Sequence, residues 1–314
     1  MKKSIIAILV VAFVIVGCRG GTGGEGRIVS RDIYKGTNGL VMEFLPMPED
    51  VFEKSPFRME VKLKNEGAYD ITQGYLTLGL EKDFIGLSEW AIREPIIGVV
   101  SSEQVEFNLE GKSIMNPKGS QGMVAVILAS KEIEVMREKH TSTILFTGCY
   151  AYKTKLSEGV CIDTDILGTR TVEKACKVED KTLEGQGAPI AITKVEVDML
   201  PHENKVKPQF LIYIENKKKG EVVKTDVVRE ACSGEPIDFK DFNVVKVSAK
   251  LFDKPLTCTP STAKLKEGKD EIRCILDEGI SKDEGTHTET LNLELDYGYT
   301  NTMSTTIDIK KLPT

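Results

Sequence analysis

Apolar and polar residues alternate with a period of two through most of the chain from residue 39 onward, the pattern of half-buried β-strands. Met59, Val61 and Leu63 alternate with Glu60, Lys62 and Lys64, and the run closes at Asn65-Glu66-Gly67. Phe210, Ile212 and Ile214 alternate in the same way and end at Asn216. Each run follows a Leu-Pro pair, Leu45-Pro46 and Leu200-Pro201. Near the C-terminus Leu291, Leu293, Leu295, Tyr297 and Tyr299 share one face of a strand, with Asn292, Glu294, Asp296 and Gly298 on the other. Ile144, Phe146, Tyr150 and Tyr152 repeat that stripe earlier in the chain. The paired tyrosines are expected to face a core, with their hydroxyls bonded to backbone near its edge; an aromatic stripe for sugars is the competing reading. Helical spacing is scarce. Lys131–Lys139, with Ile133 and Met136 three apart, is the main helix candidate, against a plain loop between strands.

Two internal correspondences predict that one fold is used twice. The strand ending at Asn65 superposes on the one ending at Asn216 at an offset of 151 (216 − 65). CYAYKTKLSEGVCI, residues 149–162, aligns with DYGYTNTMSTTIDI, residues 296–309, at an offset of 147 (297 − 150). Tyr150 then lies over Tyr297, Tyr152 over Tyr299 and Ile162 over Ile309. Many short strands and Gly-marked turns predict an all-β chain of two tandem immunoglobulin-like antiparallel β-sandwiches, at 34–166 and 188–314. Residues 167–187 read as the linker between them.

The start of the chain carries an address. Lys2 and Lys3 precede the apolar run Ile5 to Val16, which is shorter than the roughly 20 residues that cross a bilayer. Residues 1–17 therefore read as a signal peptide. Its end, Ile15-Val16-Gly17-Cys18, resembles the lipobox of prokaryotic lipoproteins. That resemblance implies cleavage before Cys18 and a thioether-linked lipid on it, hence a membrane partner through the lipid. The alternative is a signal peptide or anchor with an incidental Cys. Residues 18–33, with five Gly in RGGTGGEG, read as a flexible tether.

Six cysteines remain: Cys149, Cys161, Cys176, Cys232, Cys258 and Cys274. An even number in an oxidising compartment predicts three disulfides, without fixing which. A hairpin turning at Lys153–Ser157 would put Cys149 opposite Cys161. The same register in the second copy would put Asp296 opposite Asp308, as a repelling pair, a Lys-compensated pair or a cation site. Cys258 and Cys274 flank a turn at Glu267-Gly268 and form the natural second pair. Cys176 is left with Cys232, and Cys161–Cys176 competes with that arrangement.

Composition narrows the function classes. A net charge of −6 and a pI near 5.4 argue against a nucleic-acid partner, which needs a basic face. With 29% charged and 40% hydrophobic residues in 314, the chain is too polar for a multi-span membrane protein and too apolar for a disordered one. His140, His202 and His287 lack metal-ligand spacing, and no pair of cysteines has CxxC spacing. No GxSxG elbow occurs, and Glu110-Gly111-Lys112-Ser113 lacks the first Gly of a phosphate loop. No catalytic residue, metal site or cofactor is expected. Lys217-Lys218-Lys219 reads as a solvated turn, with anionic-lipid contact as the minor alternative. Trp90 reads as a core or domain-edge residue, against a contact anchor.

The order apolar strand, Asn, Gly, next strand around Asn65 resembles CARDB-type and other immunoglobulin-like modules of archaeal and bacterial surface proteins. With the Cys-Tyr-x-Tyr segment it is similar to tandem-sandwich proteins of archaeal envelopes. The resemblance implies a surface location and no catalytic residue. The expected role is a lipid-anchored, extracytoplasmic structural or adhesive protein with a protein or glycan partner at the cell surface. The alternative is an envelope ligand-binding or accessory lipoprotein of a transport or secretion system.

Overall fold

A computed structural model describes residues 33–313 apart from Arg93, Val135 and Val172. The signal segment, Cys18 and most of the tether lie outside the described residues. The first half carries β1 Leu40–Phe44, β2 Asp50–Phe52, β3 Pro56–Asn65, β4 Ile71–Leu80, β5 Ile85–Ala91, β6 Ile96–Ser101, β7 Gln104–Leu109, β8 Gln121–Ser130 and β9 Lys139–Ile162. The second carries β10 Lys181–Thr182, β11 Ile190–His202, β12 Lys205–Asn216, β13 Glu221–Val223, β14 Val244–Leu251, β15 Lys254–Pro255, β16 Thr257–Thr259, β17 Thr262–Lys264, β18 Lys269–Ile275, β19 Ile280–Ser281 and β20 His287–Lys310. The chain is all-β, and nearly every pairing is antiparallel.

Among the described residues the strands form three sheets. One runs β1-β3-β8-β5 and a second β10-β11-β12-β18-β16. The third, β15-β14-β20-β9-β4-β7-β6, crosses from one half of the chain to the other. Each smaller sheet packs on its own part of the large one, because each inner face has every second residue apolar. Met59, Val61 and Leu63 of β3 face Leu76, Leu78 and Phe146. Phe44 and Trp90 meet the ring of Phe146 edge-on at 5.9 and 6.4 Å. Ile192, Ile212 and Ile272 fill the second half against Leu291 and Leu295. All of these belong to one contiguous core.

The join is made by β9 and β20, each 24 residues long, which pair along their whole length from His287↔Ile162 to Lys310↔Lys139. The ladder centres on Ala151↔Gly298, with Tyr150↔Tyr299 and Tyr152↔Tyr297 on either side. Ala151 and Gly298 are 147 residues apart (298 − 151), the offset that aligns 149–162 with 296–309. Neither strand turns back. The expected hairpin at Lys153–Ser157 is replaced by continuous strand, so Cys149 and Cys161 stand about 40 Å apart along it. Asp296 and Asp308 are separated in the same way and do not face each other. Asp296 lies opposite Lys153, and Asp308 bonds Lys139 and Thr141, both at 2.7 Å.

The Lys131–Lys139 segment is not helical; its described residues form a loop until β9 begins. A short helix, α1 Val228–Ser233, lies instead in the second half, closed by Gly234 in the left-handed conformation at φ 74°. Val228 and Cys232 of α1 pack with Tyr75 and Cys149 on the face of the large sheet that points away from the smaller sheets. The disulfides follow this geometry: Cys149–Cys232, Cys161–Cys176 and Cys258–Cys274. The last is the pair expected from the turn. The first two replace Cys149–Cys161 and Cys176–Cys232. The Cα atoms of the new pairs lie 5.6 and 5.8 Å apart, within disulfide reach.

Candidate functional site

The tyrosines at the centre of the long ladder are buried, and their hydroxyls are engaged. The Tyr152 hydroxyl donates to Asn65 Oδ1 at 3.3 Å and accepts from the Tyr69 N–H at 3.2 Å. Asn65 also accepts from the Gly67 N–H and donates to the carbonyls of Tyr69 and Leu109. The second half contains the same arrangement. The Tyr299 hydroxyl donates to Asn216 Oδ1 at 3.2 Å and accepts from the Gly220 N–H at 3.0 Å. Asn216 in turn accepts from the Lys218 N–H and donates to the Gly220 carbonyl. The inner pair, Tyr150 and Tyr297, accept from the N–H groups of Leu40 and Ile190, the first residues of β1 and β11. Burial pushes the phenols of Tyr150, Tyr152 and Tyr297 well up, and that of Tyr299 to about 12. They fix strand ends against the core, as the alternation predicts, and their rings are closed to a sugar.

The opposite face of the sheet is covered by α1 near Cys149 and open farther along β9, β20 and β14. Past Ala151, residues of β9, β20 and β14 form rows across the sheet: Lys153–Asp296–Lys246, then Lys155–Glu294–Ser248, then Ser157–Asn292–Lys250. Lys153 and Lys155 both reach Glu294 at 3.1 Å, and Ser157 donates to Asn292 at 2.8 Å. Burial opposes the charge of Glu294, but the hydrogen bonds from Lys155 and Lys153 outweigh it and hold the carboxyl below its ordinary value.

A groove of about 940 Å³ runs over the last two rows and draws residues from both halves. Beside β9 stands Tyr69, whose hydroxyl donates to the Lys155 carbonyl and accepts from the Lys155 N–H at 3.1 Å. These bonds lock its ring, and burial raises its phenol. Tyr34 lies against it, ring centres 6.2 Å apart, with 52% of its own surface exposed. Across the sheet, at the end of β14, Phe252 is 62% exposed in a two-residue turn, with φ at 52°. A bulky aromatic in the left-handed region is disfavoured, since a turn of this kind ordinarily takes Asn or Gly. Gln186 closes the groove's inner end, holding both the N–H and the carbonyl of Ile192.

Other candidate residues lie elsewhere. Cys18 is outside the described residues. Trp90 donates to the Ser102 carbonyl at 2.9 Å and closes the core at the mouth of a smaller cleft of about 460 Å³. His140 stacks on Phe84 beside Glu81, and His287 lies near Glu289. Among the described residues, no three His, Cys, Asp or Glu side chains are grouped to hold a metal ion. No helix among them is long and apolar enough to cross a membrane. Lys217 pairs with Glu215 at 2.7 Å in an exposed turn. The groove residues Tyr34, Lys155 and Phe252 were not singled out by the sequence, which placed Glu294 only on the polar face of a strand; the one available signal was Phe252-Asp253 where a turn sequence was due.

The sequence matches no protein-family model and no curated protein. A chain in the crystal structure of a type I cohesin–dockerin complex from Clostridium thermocellum is similar over 37% of this chain and 86% of its own length. It is 13% identical, with a TM-score of 0.26.

Proposed function

We propose that this is an extracytoplasmic protein, anchored by a lipid on Cys18, whose fused pair of β-sandwiches serves as a structural or adhesive module at the cell surface. The reading treats the chain as a duplicated sandwich, with 34–166 and 188–314 as the copies and 167–187 as the connection. The observation that carries it is the set of three disulfides, which belongs to an oxidising compartment outside the cytoplasm. Cys149–Cys232 supports the structural part of the role, since it staples the second half to a face of the first. The Gly-rich stretch after Cys18 would hold this rigid body off the membrane. An envelope ligand-binding role is the second reading, favoured by a groove built from both halves.

The test is processing in a bacterial or archaeal host. Mass spectrometry of the membrane-extracted protein should give an N-terminus at Cys18 carrying lipid. The Cys18→Ser variant should be recovered as an unprocessed precursor or released in soluble form. A mature protein that begins at Met1 without lipid, or a Cys18→Ser variant that remains lipidated and membrane-bound, rejects the anchor.

A further inference from the structure

We infer that the groove over β9, β20 and β14 is a binding site for a neutral oligosaccharide; this deepens the surface-adhesive reading and rests on it. Three observations converge. The first is aromatic surface on both flanks. Tyr34 and Tyr69 stand beside β9, and Phe252 stands beyond β20 on the β14 turn, with β9 and β14 themselves roughly 10 Å apart across β20. The carbon-bound hydrogens of a pyranose ring form an apolar face that packs on such rings, while its rim of hydroxyls needs polar partners. Tyr69 is fixed through both polar backbone atoms of Lys155, so it loses little freedom when a ligand packs on it.

The second is the charge of the lining. Lys155 and Lys250 are matched by Asp253 and Glu294, and Lys155 is already paired with Glu294 at 3.1 Å. A phosphate, a sulfated glycan or an acidic peptide would meet as many carboxylates as ammonium groups there. Ser157, Asn292 and Ser248 add uncharged donors and acceptors in rows, the partners that sugar hydroxyls use.

The third is Phe252 itself. Its φ of 52° is a conformation that costs a non-glycine residue free energy, and the residue is 62% exposed. Packing within the fold therefore does not explain a Phe at this position. A ligand contact does, and backbone strain of this kind collects at binding sites. The backbone is held in place by the Phe252 N–H, which donates to the Thr290 carbonyl at 2.7 Å.

The experiment uses the detergent-solubilised full-length protein on an array of neutral gluco-, manno-, galacto- and xylo-oligosaccharides, with sulfated glycans and inorganic phosphate alongside. The best neutral binder is then titrated by calorimetry. Phe252→Asn keeps a residue that tolerates the turn, and Tyr34→Ala removes the other exposed ring. Each is expected to weaken binding at least tenfold with no fall in melting temperature, while Ile97→Ala, on distant β6, leaves binding as in the wild type. Three results overturn the inference: no neutral oligosaccharide bound, preference for the sulfated glycans or phosphate, or neutral binding unaffected by both ring variants. Lipid on Cys18 is read independently. A lipidated protein that binds no neutral glycan rejects this inference alone, and a glycan binder without lipid rejects the anchor alone.

Discussion

Asn65 and Asn216 offer an internally controlled test of what holds the strand ends. The chemistry is the same at both sites: one amide bridges a tyrosine hydroxyl and turn backbone. The burial differs. Asn65 is fully buried, as is Gly67, and its amide also reaches the Leu109 carbonyl at 3.1 Å. Asn216 is half-buried, and Lys218 is exposed. Asn65→Ala orphans the Gly67 N–H, the Tyr69 and Leu109 carbonyls and the Tyr152 O–H, where water has poor access. With about 1–3 kcal/mol for each dry unpaired group, and partial relaxation, the loss should be about 3–5 kcal/mol. Asn216→Ala frees groups that water can reach, so about 1–2 kcal/mol is expected. The assay is urea unfolding of the oxidised protein, followed by circular dichroism, with the slope checked for constancy. Equal losses at the two positions, or a larger loss at Asn216, would refute the argument that burial sets the cost.

Replacing both Cys149 and Cys232 by Ala should cost most among the three disulfides. Its separation of 83 residues gives about 4.5 kcal/mol in the chain-entropy model, against about 3 kcal/mol for separations of 15 and 16, and denaturant midpoints of the three double variants rank them. Non-reducing peptide mapping should recover those three pairs and no Cys149–Cys161 peptide. Burial opposes the charge of Glu53, but N–H bonds from Ile133 and Leu312 and the Lys311 ammonium outweigh it and hold the carboxyl below its ordinary 4.5. Its contribution is therefore complete above that value and lost as pH falls through the lower folded one; Glu53→Gln should flatten the acid limb of a stability–pH curve. The buried phenols shift the other way, so their stabilisation is whole below pH 10.0 and lost as pH rises toward their folded values. Phenolate absorbance for these four tyrosines should appear together with unfolding, and smooth titration of the native protein near pH 10.0 would contradict their burial.

The strands were legible because a half-buried sheet imposes a period of two, and Met59-Val61-Leu63 and Leu291-Leu293-Leu295 obey it. The same rule misled at residues 153–157. Alternation fixes which face a residue takes, but an even number of residues around a hairpin preserves the phase. Tyr150 and Val160 would both point inward with or without a turn. Thr154, Ser157 and Gly159 suit a turn in isolation, yet they continue as strand because β20 supplies a partner for every residue. The cysteine pairs depended on that choice, and only Cys258–Cys274, flanking a local turn, was independent of it. The groove was illegible for another reason. Tyr34, Lys155, Phe252 and Glu294 come from four distant segments, and only the pairing of β9 with β20 and of β20 with β14 assembles them.

The long ladder also sets an order of events in synthesis. Its nearest partners, Ile162 and His287, are 125 residues apart (287 − 162), and its farthest, Lys139 and Lys310, 171 (310 − 139). A chain emerging from its N-terminus completes β9 long before β20 exists, so one edge of a 24-residue strand stays bare throughout. Bare edges pair with whatever strand is near, including those of sibling chains. The second half thus shields the first from self-association. A chain that stops before His287 would not be a smaller working module; it would be a nucleus for aggregation, and the cell must keep nascent copies apart until the last strand arrives.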